Sequence, residues 1–402
     1  MKILKVLLLI LLFFITNSCI EEYTIPNEVV LEFESELVIE GRILSGEESV
    51  VFVSRTVPFT GGEVEPDSTA ISNAQVTIIG ENGYESPKAV FDDENKRYNI
   101  DTYNLENNTR YAVKAIVDGE TYQSEFQTLL NTPEIDEVTY KERLDGISIH
   151  VSSHGDDSHS KFYMWSCEED WEFHADFDFV RASKGIYLFN EKTYVIKDKG
   201  INPYYYCWGH RNSNGIHIYS TESLEENSLK EVELFRIPTS DIRISYIYSV
   251  LVKQWSLDSK AYNYYETMEK QTEENNGLFA PMPADVKGNI KCISDPKKKV
   301  RGYVIASNVN SKRIFIYASD LEQVYPDYSN CSYQYAWEAA KFNPSWQIAW
   351  LEEINKNGAV VFTEYGLMDE TSSLKYSKEC VDCRQTAGAT KKRPDFWPNN
   401  HE

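Results

Sequence analysis

The 402-residue sequence lacks the short motifs that mark many well-known enzyme chemistries. It contains no G-x-S-x-G nucleophile elbow, no H-E-x-x-H zinc motif, no phosphate-binding loop and no G-x-G-x-x-G dinucleotide fingerprint. These absences exclude the motif-bearing forms of serine hydrolysis, zinc proteolysis and nucleotide chemistry. We therefore predict that the protein is not an enzyme, with no catalytic residues, no bound metal and no cofactor.

Positive charge is also scarce. The chain has 40 Lys and Arg against 63 Asp and Glu, a formal charge of −23, and its basic runs at residues 297–299 and 391–393 are only three residues long. Nucleic-acid binding requires clustered Lys and Arg that neutralise phosphates. The composition thus excludes nucleic acid as a partner and predicts a surface that anionic lipid does not attract, while cationic ligands are steered toward it.

No hydrophobic run is long enough to be a permanent membrane span. The apolar segment from Val6 to Ile15 follows Lys2 and Lys5, whereas a spanning helix needs roughly 20 apolar residues. A charged start, a short apolar run and Ser18-Cys19 predict a secretory signal over residues 1–18, with cleavage before Cys19 and lipidation of its thiol. Stable anchoring requires more than one acyl chain. The alternative is an ordinary signal peptide that leaves Cys19 for a disulfide.

Removing that signal would take away two lysines and no acidic residue, and would leave a formal charge of −25. Residues 19–31 are then expected to form a polar, lipidated tether, facing the exterior of an outer membrane.

Cysteine is infrequent, with seven in the chain. An even number besides Cys19 in an exported protein favours disulfides, and six cysteines allow 15 connectivities. The favoured pair is Cys167 with Cys207, because both lie in aromatic, strand-like runs; the C-x-x-C pair either closes on itself or fastens the C-terminal segment to the Cys292 and Cys331 region. A redox role is disfavoured, since the motif does not open a helix. The six candidates are Cys167, Cys207, Cys292, Cys331, Cys380 and Cys383.

The sequence predicts a mainly β protein. Residues 32–131 contain about seven short alternating runs separated by turn signals, of which Asp118-Gly119 is the strongest indication of a hairpin. Such spacing is typical of an immunoglobulin- or transthyretin-like β-sandwich.

Residues 132–402 are expected to form a larger β-rich domain with one prominent helix near residues 257–275. Leu257, Ala261, Tyr264, Tyr265 and Met268 recur at helical spacing there. Residues 243–255 predict a long central strand, and residues 301–306 and 312–317 predict a hairpin.

Two clusters in this region are candidates for binding chemistry. Imidazole and carboxylate groups in one cluster suit Zn²⁺ or Ca²⁺, but their spacing matches no metal loop and favours a solvated hairpin tip. Its members are His150, His154, Asp156, Asp157, His159, His174, Asp176 and Asp178. The second cluster is the aromatic run at residues 204–208, for which core packing, protein contact and sugar stacking remain open.

Four segments in this order and spacing resemble the Bacteroidota lipoprotein family known as domain of unknown function 4249. They are LVIEG at residues 37–41, LVKQWSL at 251–257 leading into Ala261-Tyr262, GNI at 288–290 followed by Gly302-Tyr303, and CVDCR at 380–384 with PDFW at 394–397. Glu21-Glu22 resembles the acidic signal that directs such lipoproteins to the outer face, whereas Thr16 departs from the Leu usual at that position.

The resemblance implies an outer-membrane lipoprotein encoded near TonB-dependent receptor-like β-barrels, and it carries over no catalytic residue. We therefore expect a cell-surface binding or accessory subunit of such a barrel, with a glycan or peptide as possible ligand. The alternatives are an adhesive or structural surface protein and, less favoured, a metal-assisted hydrolase using His150, His154, Asp156 or His159.

Overall fold

The computed structural model describes residues 35–57, 69–107, 109–175, 186–188, 193–195, 204–212, 215–274, 286–322, 333–336, 359–362, 373–376 and 382–398. Cys19, Asp176, Asp178, Cys331 and Cys380 lie outside these ranges, as do the signal and tether segments. No helix in the described part of the chain is both long and apolar enough to cross a bilayer.

Strands dominate, which confirms the mainly β prediction. In chain order they are β1 (Leu37–Ser45), β2 (Ser49–Arg55), β3 (Gln75–Gly80), β4 (Val90–Asp92), β5 (Arg97–Ile100), β6 (Arg110–Val117), β7 (Glu120–Ser124), β8 (Gln127–Thr128), β9 (Ile135–Arg143), β10 (Gly146–His154), β11 (Phe162–His174), β12 (Ile186–Leu188), β13 (Thr193–Val195), β14 (Tyr206–Asn212), β15 (His217–Ser220), β16 (Ser228–Pro238), β17 (Ile247–Leu257), β18 (Ile290–Cys292), β19 (Val300–Arg301), β20 (Val304–Tyr317), β21 (Tyr333–Ala336), β22 (Ala359–Phe362) and β23 (Ser373–Tyr376).

The helix α1 spans Ser259–Glu274, in agreement with the prediction near residues 257–275. The Asp258 side chain caps it by accepting a hydrogen bond from the Ala261 backbone N–H at 2.7 Å. In the ranges given above, three short 3-10 helices cover Ile242–Ile244, Ala318–Asp320 and Cys383–Gln385.

The largest sheet in the described residues has ten strands. Eight follow the order β14-β11-β17-β20-β1-β2-β5-β4, and β15 and β19 pair with β11 and β1. Its β1 end faces a second sheet, ordered β18-β7-β6-β3, across a core that contains Ile39, Val51, Ile78 and Tyr98. Its β17 end faces the three-stranded sheet β16-β10-β9 across a core that contains Ile149, Trp165 and Tyr248. The described chain therefore contains two sandwiches that share one sheet.

Strand β20 joins the two sandwiches. Residues 304–308 pair in parallel with β1, and residues 309–317 pair antiparallel with β17. The hairpin predicted from residues 301–306 and 312–317 is therefore wrong, because residues 304–306 and 312–317 lie in one continuous strand whose halves have different neighbours.

The first sandwich is completed by strands far along the chain. β18, β19 and β20 pair with β7 and β1, and Ile290, Cys292, Val304 and Ala306 belong to its core. The division expected at residue 132 thus does not separate the cores, because residues 290–308 return to the first one.

Candidate ligand-binding site

A cavity of about 340 Å³ lies between the outward face of β1 and β2 and the helix α1. Alternation along β1 creates its floor, because Ile39 and Ile43 point into the sandwich core whereas Glu40 and Arg42 point outward. Phe52, the β2 residue paired with Glu40, lines the same space. Two charged residues on this strand therefore line a half-open cavity.

The helix supplies the opposite wall. Tyr264, Tyr265 and Met268 line the cavity, and Ala261 and Tyr264 are buried against the sheet. The Tyr264 ring packs against the Tyr303 ring, with 4.9 Å between their centroids. These contacts fix the helix over Glu40 and Arg42.

The Arg42 guanidinium lies over the Trp255 ring, 5.0 Å from its centroid. Within the described ranges, no carboxylate is within ion-pair distance of it and no hydrogen-bond partner is present. Burial lowers the pKa of Arg42 and the nearby Arg97 cation lowers it further, whereas Tyr265, Glu40 and Glu47 oppose the shift. This side chain therefore carries a partly desolvated positive charge whose fork of donors is available to a ligand.

Glu40 presents the opposite charge to the same cavity. Burial raises the pKa of its carboxyl group, while Arg42 and a hydrogen bond donated by Tyr264 offset part of that shift. Burial also raises the pKa of Tyr264 and Tyr265, and the Glu40 charge adds to the shift in both. Both phenols therefore remain protonated donors near neutral pH.

These groups are suited to binding a small molecule. A cation, a carboxylate and two phenols surround an apolar space lined by Phe52, Met164 and Met268. Apolar walls with a few oriented polar groups are characteristic of small-molecule sites. Sequence reasoning missed this site, because Glu40 and Arg42 follow the alternation of a strand whose polar face meets water. Only the covering by α1, more than 200 residues later, distinguishes them.

The predicted histidine and carboxylate cluster does not assemble into one site. His150 is buried and bonded to Ser148 Oγ at 2.8 Å and to the Glu231 carbonyl at 2.9 Å. His154 pairs with Asp136 at 2.7 Å, and its pKa is raised by that hydrogen bond.

The other described members make separate local contacts. His159 bonds to Asp156 at 2.7 Å within a turn, where hydrogen bonds from Ser158 lower the pKa of Asp156 to about 2. Asp157 is exposed, and His174 bonds to Glu172 on β11. No group of three potential ligands converges anywhere in the described ranges. His154, Asp156 and His159 line a polar groove of about 690 Å³ with residues 131–133 and 308–310.

The aromatic run at residues 204–208 packs mostly against neighbouring side chains of the protein. Trp208 and Cys207 are buried, whereas Tyr204 lies under the Arg384 guanidinium, 3.6 Å from ring centroid to Cζ. Tyr205 and Tyr206 contact each other and the His174 ring. The run thus contributes to packing around β14 and the C-terminal segment.

Among the cysteines that the structure describes, one disulfide joins Cys207 to Cys383. The favoured pair of Cys167 with Cys207 is wrong, because Cys207 lies opposite Phe173, six residues further along β11 than Cys167. At about 3.3 Å per residue this offset is roughly 20 Å, well beyond the reach of a disulfide. Closure of Cys380 on Cys383 and fastening of Cys383 to the Cys292 region are also excluded. Cys167 and Cys292 are buried thiols, and burial raises the pKa of Cys167.

A second group of buried charges lies on β11, where each carboxylate has a protein partner. Glu169 bonds to Arg243 at 2.5 Å, to Arg211 at 2.7 Å and to the Tyr248 hydroxyl at 2.7 Å. Asp170 pairs with His210 and Arg313, and Glu172 accepts a hydrogen bond from Trp397 Nε1. The carboxylates of this network are therefore already paired with protein groups, which disfavours a ligand site here.

Comparison with known proteins gives little about activity. No curated protein matches the chain. A solved structure of two fibronectin type III domains from chicken tenascin is similar to it at 10% sequence identity, covering 56% of this chain and 93% of that one, with a TM-score of 0.16 that carries no argument.

The family model is informative. The model described as "Domain of unknown function (DUF4249)" matches residues 20–313, a span that includes Glu40, Arg42 and α1. Because this match covers well over half of the sequence, the chain belongs to the DUF4249 family.

Proposed function

We propose that this protein is a lipid-anchored, surface-exposed binding subunit that serves a TonB-dependent receptor-like barrel in an outer membrane. The observation that carries the binding role is the cavity between β1 and α1. Arg42 and Glu40 both line it, and neither forms an ion pair with a described residue. A site built only for stability would pair these charges, as the β11 network does.

The anchor and the barrel partner have other support. The Ser18-Cys19 sequence after a short apolar run supports lipidation of Cys19. The resemblance of four separate segments to DUF4249 lipoproteins supports a barrel partner. In this proposal Cys19 supplies only the attachment, and ligand capture is the work of the folded body.

The test is a gentle-detergent pull-down of the full-length protein from its native outer membrane, read by mass spectrometry and size-exclusion chromatography. We expect a β-barrel to co-elute in stoichiometric amount. A Cys19→Ser variant is the matched control, and we expect it to leave the membrane fraction while its folded body stays intact.

The expected result depends on the partner and not on the cavity ligand, so an Arg42→Gln variant should still co-elute with the barrel. A wild-type protein that elutes alone from native membranes contradicts the accessory role. Binding to a glycan array by such a solitary protein would instead favour adhesion.

A further inference from the structure

We propose that the cavity between β1 and α1 binds a small zwitterion, such as an amino acid or a short peptide, whose carboxylate contacts Arg42 and whose ammonium group contacts Glu40. This inference rests on the proposed binding function and names its ligand class.

Arg42 determines the anionic end of the ligand. Elsewhere in the described chain, the buried Arg243 bonds to both Glu169 and Asp241, and the partly buried Arg313 bonds to Asp170. Arg42 lies over the face of Trp255 and has no ion pair or hydrogen bond to a described residue; Arg97 adds a second positive charge nearby, and Glu40 and Glu47 act on Arg42 only from beyond ion-pair distance. A desolvated guanidinium without a partner is costly, and its planar fork matches a carboxylate in two-point geometry.

Glu40 determines the cationic end. It lies two residues from Arg42 on the same face of β1, where it feels the Arg42 charge and accepts a hydrogen bond from Tyr264 but forms no ion pair with a described residue. A purely anionic ligand would be repelled by this carboxylate, and a purely cationic one by Arg42 and Arg97. A ligand with both charges satisfies both residues, which is the complementarity that gives binding specificity.

The walls define the remainder of the ligand. Phe52, Tyr265, Met164 and Met268 surround a volume of about 340 Å³. This volume lies near the lower end of ordinary ligand sites, which span roughly 300 to 1,000 Å³. The space therefore suits one or two amino-acid residues with an apolar side chain, since aromatic and thioether groups pack well against such side chains.

The experiment is isothermal titration calorimetry on the full lipidated chain in detergent. The probes are a panel of free amino acids and dipeptides with apolar side chains, among them alanyl-phenylalanine, together with its N-acetyl and C-amide derivatives. We expect at least one zwitterion to bind, and we expect each blocked derivative to bind about tenfold more weakly or worse, because a charge-assisted hydrogen bond is lost at one end.

Two cavity variants and one control assign the binding to the site. Arg42→Gln and Glu40→Gln should each weaken the zwitterion about tenfold or more, and Arg42→Gln should remove the penalty of the C-amide. Arg110→Gln is the matched control, because Arg110 is exposed and pairs with Glu81 outside the cavity. It should leave affinity unchanged.

Three results overturn the inference: no member of the panel binds to folded protein, a blocked derivative binds as tightly as the zwitterion, or Arg42→Gln binds as well as the wild type. Thermal unfolding of each variant verifies that a loss of binding is not a loss of fold. Co-elution with a barrel is measured without these ligands. A negative calorimetry result therefore does not contradict the accessory role, and a negative pull-down does not contradict the ligand assigned to the cavity.

Discussion

At the scale of single residues, the environment of a charge decides whether it contributes to stability or to binding. Glu169 and Arg243 are both almost fully buried, and each has at least two polar partners. Glu40 and Arg42 are partly buried and line a cavity, and they form no ion pair with each other. Removing Glu169 or Arg243 should therefore lower the free energy of unfolding, whereas replacing Glu40 or Arg42 should weaken ligand binding.

Replacing Arg243 with Met should lower the free energy of unfolding by about 3 kcal/mol, because the buried Glu169 carboxylate loses its nearest cation. Urea unfolding followed by tryptophan fluorescence measures the change. Arg236→Met is the control, since Arg236 is exposed where it pairs with Glu233, and it should cost less than about 1 kcal/mol. Adding Glu169→Gln to Arg243→Met should restore part of the loss; equal losses in both arginine variants would contradict the buried network.

His210 should make stability depend on pH. Its hydrogen bond to Asp170 raises the pKa of the imidazole above its ordinary value of 6.5, so the folded state binds the proton more tightly than the unfolded one. The His210 contribution is thus complete below the unfolded pKa and is lost as pH rises through the folded pKa. Because the side chain is about half exposed, we expect less than about 1 kcal/mol.

The measurement is the difference in unfolding free energy between wild type and His210→Asn from pH 5 to pH 9. That difference should shrink with rising pH. His217 is the opposite control, because burial lowers its pKa and its contribution should instead fall as pH drops. A His210 difference that is flat with pH would contradict the assignment.

At the scale of elements, local patterns were sufficient for some strands and not for others. The turn at Asp118-Gly119 joins β6 and β7 as predicted, because both residues adopt the positive φ that such a turn requires. The helix also followed from its own spacing. By contrast, β20 pairs with β1 across more than 250 residues, and its internal polar residues resemble a turn when read locally. Pairing partners so distant leave no mark in a short window of sequence.

The Cys207–Cys383 disulfide could not be predicted from local sequence either, since its two cysteines are 176 residues apart. It fixes the C-terminal segment against β14, next to paired backbone hydrogen bonds between Trp208 and Thr390. We expect mass spectrometry of a non-reduced digest to yield one linked peptide pair containing Cys207 and Cys383. Cys167 should become accessible to alkylation only after unfolding, because it is buried. A linkage between Cys167 and Cys207 would contradict this arrangement.

Removing the disulfide by Cys207→Ser with Cys383→Ser should cost about 2–4 kcal/mol. The same variant should lose protection of residues 382–398 from proteolysis, although Trp397 keeps its hydrogen bond to Glu172. The matched control is limited proteolysis of wild type under identical conditions.

At the scale of the whole molecule, the two sandwiches are not independent segments of chain. A protein consisting of residues 35–131 lacks β18, β19 and β20, and with them four residues of its core. We expect this fragment to be aggregated or without a cooperative transition in circular dichroism. A second protein in which residues 286–308 are joined to it by a Gly/Ser linker should unfold cooperatively. Cooperative folding of the shorter fragment would contradict the role of β20.

The family, the β class and the helix could all be predicted from the sequence, but the candidate site could not. Glu40 and Arg42 have the alternation of an ordinary exposed strand face, and Tyr264 and Tyr265 have the spacing of an ordinary core helix. The cavity exists because these two elements meet in space. A site formed by two ordinary patterns that are far apart in sequence leaves no motif that a sequence search could detect.

Strand β1 begins two residues after the first described position and lies in the interior of its sheet, between β2 on one side and β19 and β20 on the other. A mechanical force that enters through residue 35 along this strand would load both rows of hydrogen bonds in shear, so that they must stretch together rather than open one after another. An edge strand in the same position would peel away. A pull on the chain before residue 35 would therefore meet the resistance of both rows of hydrogen bonds at once.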